Sequence, residues 1–313
     1  MYSPKDIIDL LAANVRRTRN PFGVPKRLMN RWWKGLELPA RADTLLYTGL
    51  MYQAAPYIEQ TTSMLERFED SKWAPYIGYA RWMPNYLAGL GLYLMADGKE
   101  KTRAAGTLKN IVRILQSSGI RFGYRPELDF YSGILLYDLG DLDGFLEHAR
   151  FVADRLQQAG VRRLITVDPH TTYALKVLYH KYLGTRLEVK TYFELAQFPP
   201  AGGDRSDTTG PVVVHDPCFY GRYLELSEVP NRLLTGLGYH CVPVRNSGPF
   251  TSCCGGPAES ISPKQSREIM QRRVEELQAT GAPIVAMCPI CMGNLRKSGA
   301  QVEDLSTFLA RAA

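Results

Sequence analysis

All six cysteines of the chain fall after residue 217. With Cys241 set aside, they follow one order: Cys218, 34 residues, the adjacent pair Cys253 and Cys254, 33 residues, then Cys288-Pro-Ile-Cys291. Adjacent cysteines are a poor choice for packing and an awkward one for a disulfide. No secretory apolar segment opens the sequence, so a disulfide framework is not expected, and metal binding or redox chemistry explains the pattern better. The apolar runs in "GPVVVHDPC" and "APIVAMCPIC" read as buried strands, and each ends at a cysteine. The C-terminal edge of strands is where α/β proteins place their sites. Pro289 suits the first turn of a helix whose exposed N–H groups favour thiolate at Cys288 and Cys291.

Between the cysteine pair and the last strand, "SISPKQSREIMQRRVEELQATG" predicts a helix. Ser262 caps it, Pro263 starts it, and Met270, Val274 and Leu277 form one apolar stripe before Gly281 closes it. Gly255 and Gly256 let the backbone approach whatever the thiols hold. A zinc ion takes four ligands in a tetrahedron, which five thiols overfill. An iron–sulfur cluster fits the set better, with zinc and unmetallated thiols as the alternatives. Cys241, within "YHCVPV", reads as a small buried hydrophobe.

The chain also repeats itself. "GVRRLITVDPHTTYALK" aligns with "GAPIVAMCPICMGNLRK", placing Asp168 opposite Cys288 and Thr171 opposite Cys291. "FYSGILLYDLGD" stands where the cysteine pair stands, with Tyr131 and Ser132 in its place, and "TLLYTGLMY" sets Leu50 opposite Cys218. The predicted fold class is α/β, with two pseudo-symmetric Rossmann-like halves and an N-terminal helical and basic arm. The expected bounds are 1–40 for the arm, 41–197 for a cysteine-free half and 198–313 for the cysteine-bearing half, with a surface linker over 198–211. Asp168 and His170 are either metal ligands or, in the case of Asp168, a helix N-cap. His215 tunes a cluster or donates a proton, or else is a core or loop residue; His148, His180 and His240 have no ligand spacing. Arg222, Lys264 and the backbone around Gly255 are candidates to offset thiolate charge.

The formal net charge is +7, and part of the excess sits early: within the first 41 residues nine Lys and Arg face only Asp6, Asp9 and Glu37. This arm is either a solvated face, with Trp32 and Trp33 tucked into the body, or a docking surface for a partner protein. No nucleic-acid motif is present. The apolar run over 86–95 is too short to cross a bilayer. The twin arginine at Arg16 and Arg17 is followed by charge and proline, so no export signal is read there, and a cytoplasmic location is expected, peripheral to the membrane at most through partners.

"HDPCFYGRY", "CCGGP" and "CPICMGNL" resemble the cysteine-rich CCG domain, whose pattern is Cys, a gap, Cys-Cys-Gly, a gap, Cys-x-x-Cys. That family includes the B-type and D-type subunits of heterodisulfide reductase and iron–sulfur subunits of lactate, glycolate and glycerol-3-phosphate dehydrogenases. The likeness runs from about residue 44 onward. It implies a noncubane [4Fe-4S] cluster on Cys218, Cys253, Cys254, Cys288 and Cys291. Cys253, Cys254 and His215 are the candidate catalytic residues, and the backbone at Gly255 approaches the cofactor. Family members usually carry two such motifs. Here the first departs at all five positions, so one cluster is expected and a two-cluster mechanism is put in doubt. The ferredoxin run C-x-x-C-x-x-C-x-x-x-C is absent from the sequence. The resemblance then implies partners: a ferredoxin-like subunit of the C type and a flavoprotein of the A type. The leading reading is a heterodisulfide reductase-like subunit acting on a thiol or disulfide. The others are an electron-transfer subunit of a flavin-dependent dehydrogenase and a zinc-stabilised scaffold.

Overall fold

Short apolar runs become parallel strands in two sheets. The computed structural model describes residues 3–69, 71–72, 85–198 and 210–313. In the first sheet β1 (Thr44–Tyr47), β2 (Arg163–Thr166) and β3 (Glu188–Thr191) lie in the order β1-β2-β3, with Leu45 opposite Leu164 and Leu164 opposite Val189. In the second, β4 (Pro211–Val214), the two-residue β5 (His240–Cys241), β6 (Ile284–Ala286) and β7 (Val302–Asp304) take the order β5-β4-β6-β7. Every pairing is parallel. Parallel strands need crossovers and are covered on both faces, which is why Val212, Val213, Ile284 and Val285 are all buried.

The helices supply that cover. Before and within the first sheet come α1 (Pro4–Thr18), α2 (Lys26–Met29), α3 (Met51–Glu69), α4 (Asn85–Met95), α5 (Gly98–Ser117), α6 (Ile134–Asp138) and α7 (Leu142–Gln158). Next are α8 (Pro169–Tyr173), α9 (Tyr179–Leu183) and α10 (Tyr192–Leu195). The second sheet carries α11 (Glu228–Gly236), α12 (Pro263–Gln278), α13 (Pro289–Lys297) and α14 (Leu305–Leu309). Helix α12 starts where its signals place it: Ser262 accepts from the Gln265 N–H, Pro263 follows, and Met270, Val274 and Leu277 are buried. The two sheets share one core, in which Ile165 and Val167 join Val213, Val285 and Leu295. Helix α3 packs against α5 and also against α12 and α13. Tyr52 on α3 donates to the Asp304 carboxylate at the end of β7.

The basic N-terminal segment is wrapped onto the body rather than extended from it. Ile7, Ala12 and Val15 form the buried face of α1, and Val24, Met29 and Trp32 are core residues. Trp32 stacks at a tilt on Tyr124, with centroids 5.0 Å apart. Two of its cations are held by aromatic faces: Arg19 lies 4.1 Å from the Phe151 centroid and Lys26 3.8 Å from that of Phe130. Burial pushes the Lys26 amine down to about 8. Arg16, Arg27, Arg31, Lys34 and Arg41 are exposed. The linker expected over 198–211 lies, apart from its ends, outside the described residues. No helix among the described residues is long and apolar enough to cross a membrane.

Candidate metal centre

Three chain segments deliver the cysteines to one edge of the second sheet. After β4 the chain runs His215-Asp216-Pro217-Cys218 into a π-helical turn, Phe219–Tyr223. The Asp216 carboxylate accepts from the Gly248 N–H at 2.7 Å, and the Asp216 carbonyl accepts from Thr251 Oγ1 at 2.8 Å. Arg222 donates to the Pro249 and Thr251 carbonyls, so it braces the same loop. These bonds tie the segment that ends in Cys253 and Cys254 to the end of β4. Gly255 then turns with φ +88°, and a Cβ there would stand 2.5 Å from the Ser266 carbonyl oxygen. A Cβ on Gly256 would meet Ile290 at 2.5 Å, so the second glycine lets the loop close on α13. That closure is fastened by Asn294, which donates to the Cys254 carbonyl at 3.2 Å. Cys288 occupies the N-cap position of α13 and Cys291 its first turn.

Cys254, Cys288 and Cys291 form a buried thiol cluster beside Ile290, with Cys218 and Cys253 half-buried next to it. Donor atoms of His215, Cys254 and Cys291 all lie within 4.8 Å of one another. The Gly255 N–H points at Cys253 Sγ from 3.3 Å, as a charge-compensating backbone must. The thiols pull one another apart in acidity. Hydrogen bonds from Cys253 and Cys291 hold Cys254 well below the usual thiol range. Burial pushes Cys288 up, but the hydrogen bond from Cys291 and the charge of His170 bring it down to about 5. Burial and the neighbouring thiolates at Cys254 and Cys288 push Cys218 up to about 12. Cys253 and Cys291, as donors to their neighbours, keep their protons far above the ordinary range. A set of thiols that cannot ionise together without help is suited to cations that replace the retained protons. Five thiols exceed one tetrahedral ion and fit a multi-iron cluster.

His215 is buried at the thiol set, where the sequence placed it. Its Nδ1 accepts from Arg273 Nε at 3.1 Å, and its Nε2 has no protein partner. An arginine N–H only donates, so the neutral imidazole carries its proton on Nε2, the nitrogen left for the thiol pocket. In that tautomer Nε2 offers a proton rather than a lone pair. Arg273 is itself buried and held by Glu276 and the Asn246 carbonyl. Nothing in the sequence marked Arg273, which stands among polar residues on α12.

The cysteine-free sheet contributes one residue to this centre. Asp168 is the N-cap of α8, its Oδ1 accepting from the His170 and Thr171 N–H groups at 3.0 and 2.9 Å. His170 Nδ1 lies 3.9 Å from Cys288 Sγ. Burial alone pulls His170 down, but the Cys288 thiolate raises it to about 9. The pair Asp168 and His170 thus serves a cap and the thiol pocket. The sequence signal was its register opposite Cys288-Pro-Ile. Lys264 is exposed on α12. Cys241 sits on β5, with Asn231 and Thr235 as neighbours at 3.9 Å. His148 donates to the Tyr131 carbonyl, and His180 pairs with that of Thr185.

A cavity of about 930 Å³ opens from the thiols. Cys218, Cys254, Cys288, Cys291 and His170 line one end, and α1, α3, α4 and α6 line the rest.

Comparison with known proteins agrees with this site. The family model described as cysteine-rich domain, CCG, matches residues 212–296. A probable membrane-anchored ferredoxin of Chromohalobacter salexigens is 27% identical over 263 residues, covering 73% of this chain and 38% of that protein. The EtfAB:quinone oxidoreductase of Syntrophomonas wolfei is 26% identical, covering 58% of this chain and 27% of its own length. The D-type subunit of the dihydromethanophenazine:CoB–CoM heterodisulfide reductase of Methanosarcina mazei is 26% identical, covering 64% and 53%. The chain thus spans about a quarter to a half of the length of these curated relatives. The segment from β4 through α13, with its five convergent thiols, is a cysteine-rich domain of the CCG family.

Proposed function

We propose that this chain is an iron–sulfur subunit of a heterodisulfide reductase-like oxidoreductase, binding one [4Fe-4S] cluster of the noncubane type. Cys218, Cys253, Cys254, Cys288 and Cys291 hold it, and the observation that carries the reading is their arrival from three segments at one buried pocket. Such a cluster takes and gives electrons singly beside a bound thiol or disulfide. The protein's own residues do the remaining work. His215 offers its Nε2 proton to the sulfurs and Arg273 fixes that orientation. The glycine turn lets the backbone close, and the α13 N-terminus favours anionic ligands. The two parallel sheets support a duplicated α/β module, with halves over 41–197 and 198–313, of which only the second is loaded. Partners of the ferredoxin-like and flavoprotein kinds would deliver or collect the electrons, as the multi-subunit relatives suggest. Anaerobic purification with iron and acid-labile sulfide analysis, followed by EPR, tests this. About four irons per chain are expected, lost in the Cys253→Ser, Cys254→Ser double variant. A single zinc, or full iron and activity in that variant, would overturn it.

A further inference from the structure

The cavity beside the thiols differs in chemistry from one end to the other. At the thiol end stand His170, Asp138 and Glu259; Asp138 is close enough to feel the charge of His170, and Glu259 that of Cys254. The rest of the wall is mostly hydrocarbon, exemplified by Leu11, Met51, Ala54, Ile58, Leu92 and Ile134, with Asn14, Asn20, Thr61 and Thr62 among them. Among the described residues its wall also includes Phe68, Leu87 and Met95, which are 38%, 49% and 58% exposed. Leaving large apolar side chains in water around an apolar cavity marks an entry for apolar matter. A charged disulfide would have to leave its hydration for this wall, at a cost of several kcal/mol per unpaired charge. A hydrocarbon tail gains about 25 cal/mol for each Å² it buries there. The volume is that of a pocket for a ligand of drug size or somewhat larger.

We propose that this cavity binds an uncharged lipophilic molecule of the quinone type. Its carbonyl-bearing ring lies at the thiol end, against His170, and its tail runs between α1, α3 and α4 towards Phe68, Leu87 and Met95. This goes beyond the function proposed above: at that same site it names a quinone-type carbonyl, in place of a thiol or disulfide, as the bound molecule. The electron exchange it implies rests on the cluster reading, whereas binding itself does not.

The test is a titration of the anaerobically purified full chain, and of its Cys253→Ser, Cys254→Ser variant, with decylubiquinone. Binding is followed by quenching of tryptophan fluorescence and, in the iron-loaded protein, by EPR line shape. Gly91 is on the cavity wall and a Cβ there would stand in open space, so Gly91→Phe adds bulk to the cavity. Ala54→Phe fills it from α3. Saturable binding to the wild type and to the thiol variant is expected. It should weaken tenfold or more in both filled variants, whose iron content and EPR signal without quinone stay those of the wild type. Absence of saturable binding, equal affinity in both filled variants, or tighter binding of oxidised glutathione or palmitate than of the quinone overturns the proposal. If binding occurs but the wild type holds no iron, the cluster reading fails and the cavity assignment stands.

Discussion

The ends of β2 and β6 bear the same backbone and opposite chemistry. Asp168 and Cys288 are both N-caps in extended conformation, with φ −137° and −143°, and each is followed by a proline that opens a helix. Gly133 turns at φ +86° after Tyr131 and Ser132, and Gly255 at +88° after Cys253 and Cys254. At the first sheet the turn is closed by the protein itself. His148 donates to the Tyr131 carbonyl at 2.7 Å, Tyr179 donates to that of Ser132 at 3.0 Å, and Thr171 packs against Gly49. At the second sheet the corresponding atoms are thiols that cannot all ionise on their own. One edge fastens its turn with internal hydrogen bonds, although Ser132 Oγ, Asp168 Oδ2 and Thr171 Oγ1 stay buried without a partner, and the other presents a set of thiols that suits metal.

The sharpest break of this comparison is by substitution at matched positions. Cys254→Ser should lose essentially all iron, while Tyr131→Phe keeps it and costs about 1 kcal/mol through the lost Leu135 N–H bond; iron analysis and urea denaturation of both settle it. Protonation comes next. Burial pushes His148 from 6.5 down to about 4, so the unfolded chain binds the proton first as pH falls. Its contribution is intact above about pH 6.5 and is lost on acidification towards pH 4. Between pH 7 and 5 this amounts to about 2 kcal/mol. Urea midpoints of the wild type and His148→Phe should show the variant lacking that part of the slope. Gly133→Ala should destabilise by about 1–2 kcal/mol from its positive φ and leave iron in place. Gly255→Ala, facing a carbonyl at 2.5 Å, should lower iron content instead. The smallest effect is expected from Arg273→Met. With nothing to hold the Nε2–H tautomer of His215, the centre loses a donor to its sulfurs. Its midpoint potential should fall by on the order of 1 kcal/mol per electron. Redox-poised EPR reads that shift, and an unchanged potential would make Arg273 a packing residue only.

Much of this was legible in the sequence because it is local. Val212–Val214 and Ile284–Ala286 announce strands by apolar run, and the proline and glycine signals around them set where the cysteines emerge. Ser262 and Asp168 declare their capping roles through side chains that bond two or three residues away, and Pro263 opens its helix. What stayed hidden depends on contacts between distant segments. His170 reaches Cys288 across 118 positions, and Arg273 reaches His215 across 58. Neither residue type is unusual in its own window. The cavity was invisible for the same reason: Ile7, Leu92 and Ile134 each look like ordinary core positions of separate helices. The basic segment at 16–41 read as an arm because charge is conspicuous, whereas its burial rests on Val24, Met29 and Trp32 spaced irregularly between the charges.

Because Val213 and Val285 lie in one apolar mass with Ile165, Val167 and Leu108, the thiol-bearing portion has no finished surface of its own on that side. A fragment cut near residue 198 would bare the faces of α12, α13 and α14 now packed on α3 and α5. The cysteine-free segments therefore cover the helices around the thiols. Grafting this metal pocket into another protein would require transplanting that silent partner as well.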